Sequence, residues 1–583
     1  MKQKLWIVLC AAVLAVCALC LYLGRDPDVA ASVPKTGSGI ELQAVSDLQR
    51  DSLYKLGKVW GFVKYHHPDP AAGTVDWDSA LFDVLPDLMA ATSPAQANDV
   101  LADWLAGYPF TVGSDATAES WRQLQAQYGD FSLDTAWISD RSFLGEAVCQ
   151  YLERLDQTYV GERANGYAAF SAEVPGVDFS LERDWKFHAD DDGVKLLALY
   201  RFWNAFAYYA PNVNITPVDW DQALREGIDE MLDAGDRTAY MKALGSLSSK
   251  TGDAHVAMVD DTLSLYCFYG SHFLRCSFLV IDGQVVAQYC DEKETSLHPG
   301  DVILAIDGTP MADRIAELSH YFALPEPDKF GKTLAIPLLS THGPTARVTV
   351  LRDGQQLELT VQTANQLFAP ENPWKNGTLE NGQIGYIDPA ALQEGDVETL
   401  MESFSGTRGL IVDLRQYPSV FLPYLLGEYL VPEPTQFATL TLPNPALPGS
   451  YFRQDSFYTG AGTLQATGET GAPSYPTYTG KVVLLMNENS ISQSEFTIMA
   501  LRQSPRAVVV GSPSVGADGN AVSLKLPGNV QSSFTGMGVY GPDGEATQRV
   551  GLQPDVTCLP TVEGLRNGQD ELMNKAIEII MQP

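Results

Sequence analysis

Positive charge is what this chain has least of. Its 583 residues carry 38 Lys and Arg against 72 Asp and Glu, a formal net charge of −34 at pH 7. A nucleic-acid partner needs a basic face to displace phosphate counterions, so that class is excluded. Beyond residue 23 there is no Cys-x-x-Cys and no His-Glu-x-x-His, so neither a metal nor a cofactor is expected. Cysteine is sparse. Of eight, three lie in the N-terminal apolar run, leaving Cys149, Cys267, Cys276, Cys290 and Cys558. An odd number outside the cytoplasm leaves at least one thiol free, and any pairing among Cys267, Cys276 and Cys290 stays unassigned.

Charge is missing altogether from Leu5 to Leu23, an apolar stretch of spanning length preceded by Lys2 and Lys4 and followed by Asp26 and Asp28. Residues 5–23 therefore read as a single-pass anchor or a signal segment, with the bulk of the chain outside the cytoplasm. An uncleaved anchor is preferred on length; cleavage after Ala31 would release the protein instead. Residues 24–45 read as a linker, carrying Pro27, Pro34, Gly37 and Gly39.

In composition the chain is ordinarily globular, 45% hydrophobic, and its length allows about three to five units. After the linker a repeat comes first. Trp60 and the motif Val75-Asp-Trp77-Asp are answered by Trp203 and Val218-Asp-Trp220-Asp, both at an offset of 143 (203 − 60 and 220 − 77). Each copy reads as an aromatic helix, a Pro-bounded loop and a second helix capped by aspartate. We place copy 1 at 46–112, a mixed connecting region at 113–190 and copy 2 at 191–262.

The stretch from Lys481 to Gly519 organises the C-terminal part. Val-rich runs at 481–486 and 507–510 flank a segment of helical length, a strand–helix–strand unit with parallel strands. Ser492 stands at the strand-to-helix junction, among unpaired helix amides that stabilise negative charge. Taken alone, Ser492-Gln-Ser-Glu495 is a capping box.

Two motifs change that reading. Ser490-Ile-Ser492-Gln-Ser494-Glu495 and Val510-Gly511-Ser-Pro-Ser-Val-Gly516 resemble the Ser-x-Ser-x-Ser-Glu and Val-Gly-x-x-Thr-x-Gly motifs of the C-terminal-processing (tail-specific) serine peptidases and their tricorn-like relatives. The resemblance implies that Ser492 is the nucleophile. Lys250-Thr-Gly-Asp253-Ala-His255 is similar to the Asp-x-His segment whose histidine is the general base in the tricorn-like branch. The lysine used by many tail-specific peptidases is replaced by Ala517, so His255 is the base that remains. The branch's glutamate is replaced by Gln548. Either Gln548 or Asp253 would orient the imidazole, and the third catalytic member is left open between them. The Asp413-Leu-Arg415 segment resembles one whose backbone helps form the oxyanion hole, although paired glycines are missing from Gln416-Tyr-Pro-Ser419. This gives the backbone amides of Gln493 and Ser419 as oxyanion donors. An unperturbed histidine base predicts activity rising over about pH 6 to 7.

Leu297-His-Pro-Gly300-Asp301-Val-Ile-Leu-Ala-Ile306 resembles a PDZ turn and strand, which implies a PDZ-like β-rich domain at 265–365 taking an extended peptide along a sheet edge. The resemblance makes 366–583 the peptidase core, of the β-α spiral, crotonase-like kind. The expected whole is an α/β multidomain serine endopeptidase acting on a peptide or unfolded-protein substrate. The competing expectation is a peptide-binding scaffold that retains the fold with weak or no catalysis.

Overall fold

A computed structural model describes residues 35–111, 133–158, 166–170, 176–291, 293–393, 395–453, 456–463 and 476–582. The expected anchor at 5–23 and the first half of the linker, 24–34, lie outside these residues. Among the described residues no helix is long and apolar enough to cross a membrane. The architecture is mixed α/β and multidomain, built from helices N-terminally, a separate antiparallel sheet in the middle and an α/β core.

Four helices carry the repeat: α1 (Asp47–His66), α2 (Trp77–Ala90), α3 (Asp192–Tyr209) and α4 (Trp220–Asp233). Asp76 caps α2 by accepting from the Ser79 amide, and Asp219 caps α4 from the Gln222 amide. The indoles then cross-brace each pair. Trp60 Nε1 donates to the Trp77 carbonyl at 3.0 Å and Trp77 Nε1 to the Trp60 carbonyl at 2.9 Å; Trp203 and Trp220 exchange the same two bonds at 2.6 and 3.2 Å. Buried indole N–H groups need partners, and here each rings the other's backbone.

Helices α1 and α3 pack at equivalent positions. Gly57 faces Tyr200 and Gly61 faces Asn204, each pair 143 apart, so the two helices run side by side in one direction. Asn204 Nδ2 donates to the Gly57 carbonyl at 3.0 Å and Tyr200 Oη to the Leu53 carbonyl at 2.8 Å. A Cβ at Gly61 would sit 1.8 Å from the Asn204 amide oxygen, which is why glycine stands there.

After α4 the chain forms helix Arg237–Ser249 and then strand β1 (Ala257–Val259). Residues 272–364 form an antiparallel sheet of their own, which includes strands Gln284–Cys290 and Thr345–Arg352. Among the described residues no cysteine is in a disulfide, and Cys276 and Cys290 are cross-strand neighbours.

The core sheet has six strands, including β2 (Gly409–Asp413), β3 (Lys481–Met486) and, after α5 (Gln493–Leu501), β4 (Ala507–Gly511), paired in parallel in that order. Alternation sorts their side chains onto two faces. Val482, Leu484 and Met486 pack with Ile498 and Leu501 of α5, while Val483 and Leu485 pack with Leu572, Met573 and Ala576 of the C-terminal helix. A hairpin of β5 (Ala521–Leu526) and β6 (Val530–Thr535) adds β1 as its third strand, Ser533 lying opposite Ala257. This pairing carries the helical region's last residues onto the core.

Gly61→Ala is expected to force Asn204 out of its two hydrogen bonds and to cost about 1–3 kcal/mol by overpacking, read as a lower denaturant midpoint at unchanged m-value.

Candidate active site

Ser492 ends the loop after β3 and starts α5 with φ 54° and ψ −120°. That is a conformation a non-glycine residue adopts only under constraint, at a cost of about 1–3 kcal/mol. Its amide supplies the constraint, donating to the Ala517 carbonyl at 2.9 Å and to Glu495 Oε2 at 3.2 Å. The hydroxyl donates to the Gly519 carbonyl at 3.4 Å, a long bond that is easily given up.

Glu495 is fully buried and does more than return a capping-box bond. Its carboxylate also accepts from the Ser514 hydroxyl at 2.5 Å and from the Gly516 and Ala517 amides at 2.9 and 3.0 Å. Burial pushes its pKa up, and these donors pull it back down. Beside it Asp518 is held well above the usual carboxylate range by burial and by the charge of Glu495. Gly516, at φ +86°, lies so close to the 549–551 backbone that a Cβ would meet the Arg549 carbonyl carbon at 2.7 Å.

His255 arrives from the other side. Ala254, its chain neighbour, packs with Ile491, the neighbour of Ser492, and with Val515 and Ala517. The imidazole Nδ1 is 2.9 Å from Thr535 Oγ1, and that hydroxyl donates to Asp253 Oδ1 at 2.7 Å. A carboxylate accepts only, so the threonine proton points to Asp253 and its lone pair takes the Nδ1–H. The neutral ring then presents an unprotonated Nε2, the tautomer a base requires. Asp253 is further held by the Thr535 amide at 2.7 Å and the His255 amide at 3.0 Å.

Three expectations need correction. Gln548 does not touch the ring: its Nε2 donates to Asp253 Oδ1 at 3.1 Å, steadying the carboxylate behind Thr535. The Ser419 amide is spent on the Pro389 carbonyl at 3.1 Å and is not an oxyanion donor. Here the paired glycines are replaced by a braced turn, with Arg415 held by Asp413 and Asp570. Finally, the His255 imidazole is not unperturbed: burial lowers its pKa below the ordinary 6.5, the nearby Asp253 only partly opposing. Gln493, by contrast, is the first residue of α5, and its amide has no partner among the described residues; the side chain is anchored on the Val420 carbonyl at 2.6 Å.

Thr535 is the residue that sequence reasoning missed. Its place follows from strand register alone: Ser533 pairs with Ala257, and two steps along an antiparallel ladder set 535 opposite 255. No motif marks it.

With the folded pKa of His255 below the unfolded value, the stability it contributes is present above about pH 6.5 and is lost as pH falls through the folded pKa. Nitrogen NMR of labelled histidine is expected to show the His255 ring as the Nδ1–H tautomer titrating below 6.5. In Thr535→Val that tautomer preference should disappear.

Residues 438–558 match Peptidase family S41. An uncharacterized protein of Chlamydia muridarum is 28% identical over 109 residues, 18% of this chain and 18% of the relative. This chain thus aligns with under a fifth of that relative's length. Among solved structures, mature CPAF complexed with lactacystin is 14% identical with a TM-score of 0.50, covering 67% of this chain and 98% of the other. The photosystem II D1 C-terminal processing protease is 17% identical with a TM-score of 0.37, covering 65% and 98%. At 14% identity the likeness to CPAF is one of fold. The family match and the Ser492 motif meet in one stretch of chain: Ser492 lies within the residues 438–558 that match Peptidase family S41.

Proposed function

We propose that the protein is a serine endopeptidase in which Ser492 attacks the peptide carbonyl and His255 is the general base. What supports this is the ordered chain Asp253–Thr535–His255, which sets the neutral ring as the Nδ1–H tautomer, together with a strained serine at a helix start whose neighbour Ile491 packs on Ala254. For the attack the hydroxyl exchanges the Gly519 carbonyl for Nε2. As Oγ bonds to the carbonyl carbon, its proton passes to His255, and the carbonyl oxygen becomes an oxyanion facing the free Gln493 amide. The imidazolium returns that proton to the leaving amine, the C–N bond breaks, and the acyl-enzyme remains. Water, deprotonated by the same ring, then releases the new carboxylate and restores Ser492. Thr535 passes the stabilising effect of Asp253 to the imidazolium without carrying the charge itself.

The substrate class follows from this reading: a peptide or an unfolded protein segment. The reciprocal indole bonds and equivalent helix contacts support reading 46–112 and 191–262 as a duplicated helical module. The separate antiparallel sheet supports a PDZ-like domain at 265–365 able to hold a second peptide. The uncharged run at 5–23 supports a single-pass anchor in the cell membrane with the catalytic bulk outside the cytoplasm, or secretion where that run is removed.

A scaffold without catalysis is favoured by one observation, the Ser492 hydroxyl resting on Gly519 rather than on the ring. A fluorophosphonate probe separates the two readings. The full chain is expected to take one adduct on Ser492, none in Ser492→Ala, and to be slowed about 10²- to 10⁴-fold in His255→Ala. An unlabelled, folded wild-type protein would sink the peptidase reading. The labelling rate should rise with pH through a limb below about 6.5, because the neutral ring is the active form and burial lowers its pKa. Thr535→Val should react at a rate between those of wild type and His255→Ala.

A further inference from the structure

The nucleophile's turn is held from outside the S41 segment, by a lysine of the middle domain. We propose that Lys329 is a positioning residue for Ser492: its ammonium gathers the carbonyls of two core loops and so sets the turn from which the serine projects. The proposal rests on the peptidase reading above.

Lys329 lies between helix Met311–Ser319 and the turn Pro337–Leu339, in the domain that carries the antiparallel sheet. Its Nζ donates to four main-chain carbonyls: Ser514 at 3.3 Å, Val515 at 3.4 Å, Arg549 at 3.2 Å and Val550 at 2.9 Å. The oxygens come from two loops. Brought together unneutralised and half-buried, they would repel one another; an ammonium, with three donors and a full charge, is what lets them converge.

Each loop leads directly to a catalytic group. Ser514 gives its hydroxyl to Glu495, and the next amides, Gly516 and Ala517, bind the same carboxylate. The Val515 amide donates to the Ser490 carbonyl at 3.0 Å, and the Ala517 carbonyl receives the Ser492 amide at 2.9 Å. In the other loop Arg549 follows Gln548, which steadies Asp253, and its amide donates to the Gly516 carbonyl at 2.6 Å. Arg549 also reaches back to the lysine's own segment, with Nε on the Pro325 carbonyl and Nη2 on Glu326 Oε1, both at 3.0 Å. Residues 325–329 are thereby clasped to both loops at once.

Charge supports the same assignment. Glu495 is foremost among the groups that favour protonation of Lys329, against the burial that opposes it. The lysine therefore helps keep ionised the carboxylate that binds the Ser492 amide. A base it is not: its protons are committed to carbonyl oxygens, leaving no lone pair to accept another.

The test compares Lys329→Met and Lys329→Arg with wild type as full chains. It reads the rate of Ser492 labelling by fluorophosphonate, kcat and KM on an unstructured peptide, and the melting temperature. Misplacement of a nucleophile predicts a fall of about 10- to 100-fold in labelling rate and kcat for the methionine variant, with KM and melting little changed. Arginine, which keeps charge and donors, is expected to recover most of that loss. Wild-type labelling in Lys329→Met overturns the proposal. So does an equal loss in both variants: with lowered melting it marks a purely structural residue, and with melting unchanged it marks a base. A wild-type chain that takes no label sinks the peptidase reading itself, a result distinct from any of these.

Discussion

One buried carboxylate organises the catalytic core. Glu495 binds the amide of Ser492, the amides of Gly516 and Ala517 and the hydroxyl of Ser514, so the helix start and the loop after β4 are two sides of a single site. A charge in that position is costly unless its oxygens are satisfied, and the four donors satisfy it. The unusual backbone of Ser492 persists because leaving it would strip that carboxylate of a partner. Strain at the serine and satisfaction of the glutamate are therefore a single arrangement.

The candidate catalytic groups come from distant parts of the chain, and strand pairing joins them. Asp253 and His255 leave the helical region just before β1, and β1 is the third strand of a hairpin that belongs to the core. Thr535 on that hairpin completes the link, 280 residues from the histidine it orients. A direct carboxylate–imidazole contact is not needed: a hydroxyl interposed between the two still fixes the tautomer, because its one proton has only one good destination.

These relations explain why some residues could be read from the sequence and others could not. Ser492 and His255 could be singled out because the residues around each form local motifs, and the helical repeat because its offset is constant. Thr535 and Lys329 could not, since each owes its role to neighbours hundreds of positions away and to nothing beside it. Ser419 misled for the same reason in reverse: its amide looked available until the fold set the Pro389 carbonyl against it. Gln548 was placed near the right cluster but one partner short, on the aspartate instead of the ring.

The packing of α1 on α3 is large against small, with Tyr200 and Asn204 filling the space over Gly57 and Gly61. Two copies of α1 set face to face would bring glycine onto glycine and leave voids. Two copies of α3 would drive tyrosine into tyrosine. Each helix is thus a poor mate for its own kind and a good one for its counterpart, so the interface selects the pairing of unlike halves and disfavours homotypic association through this face.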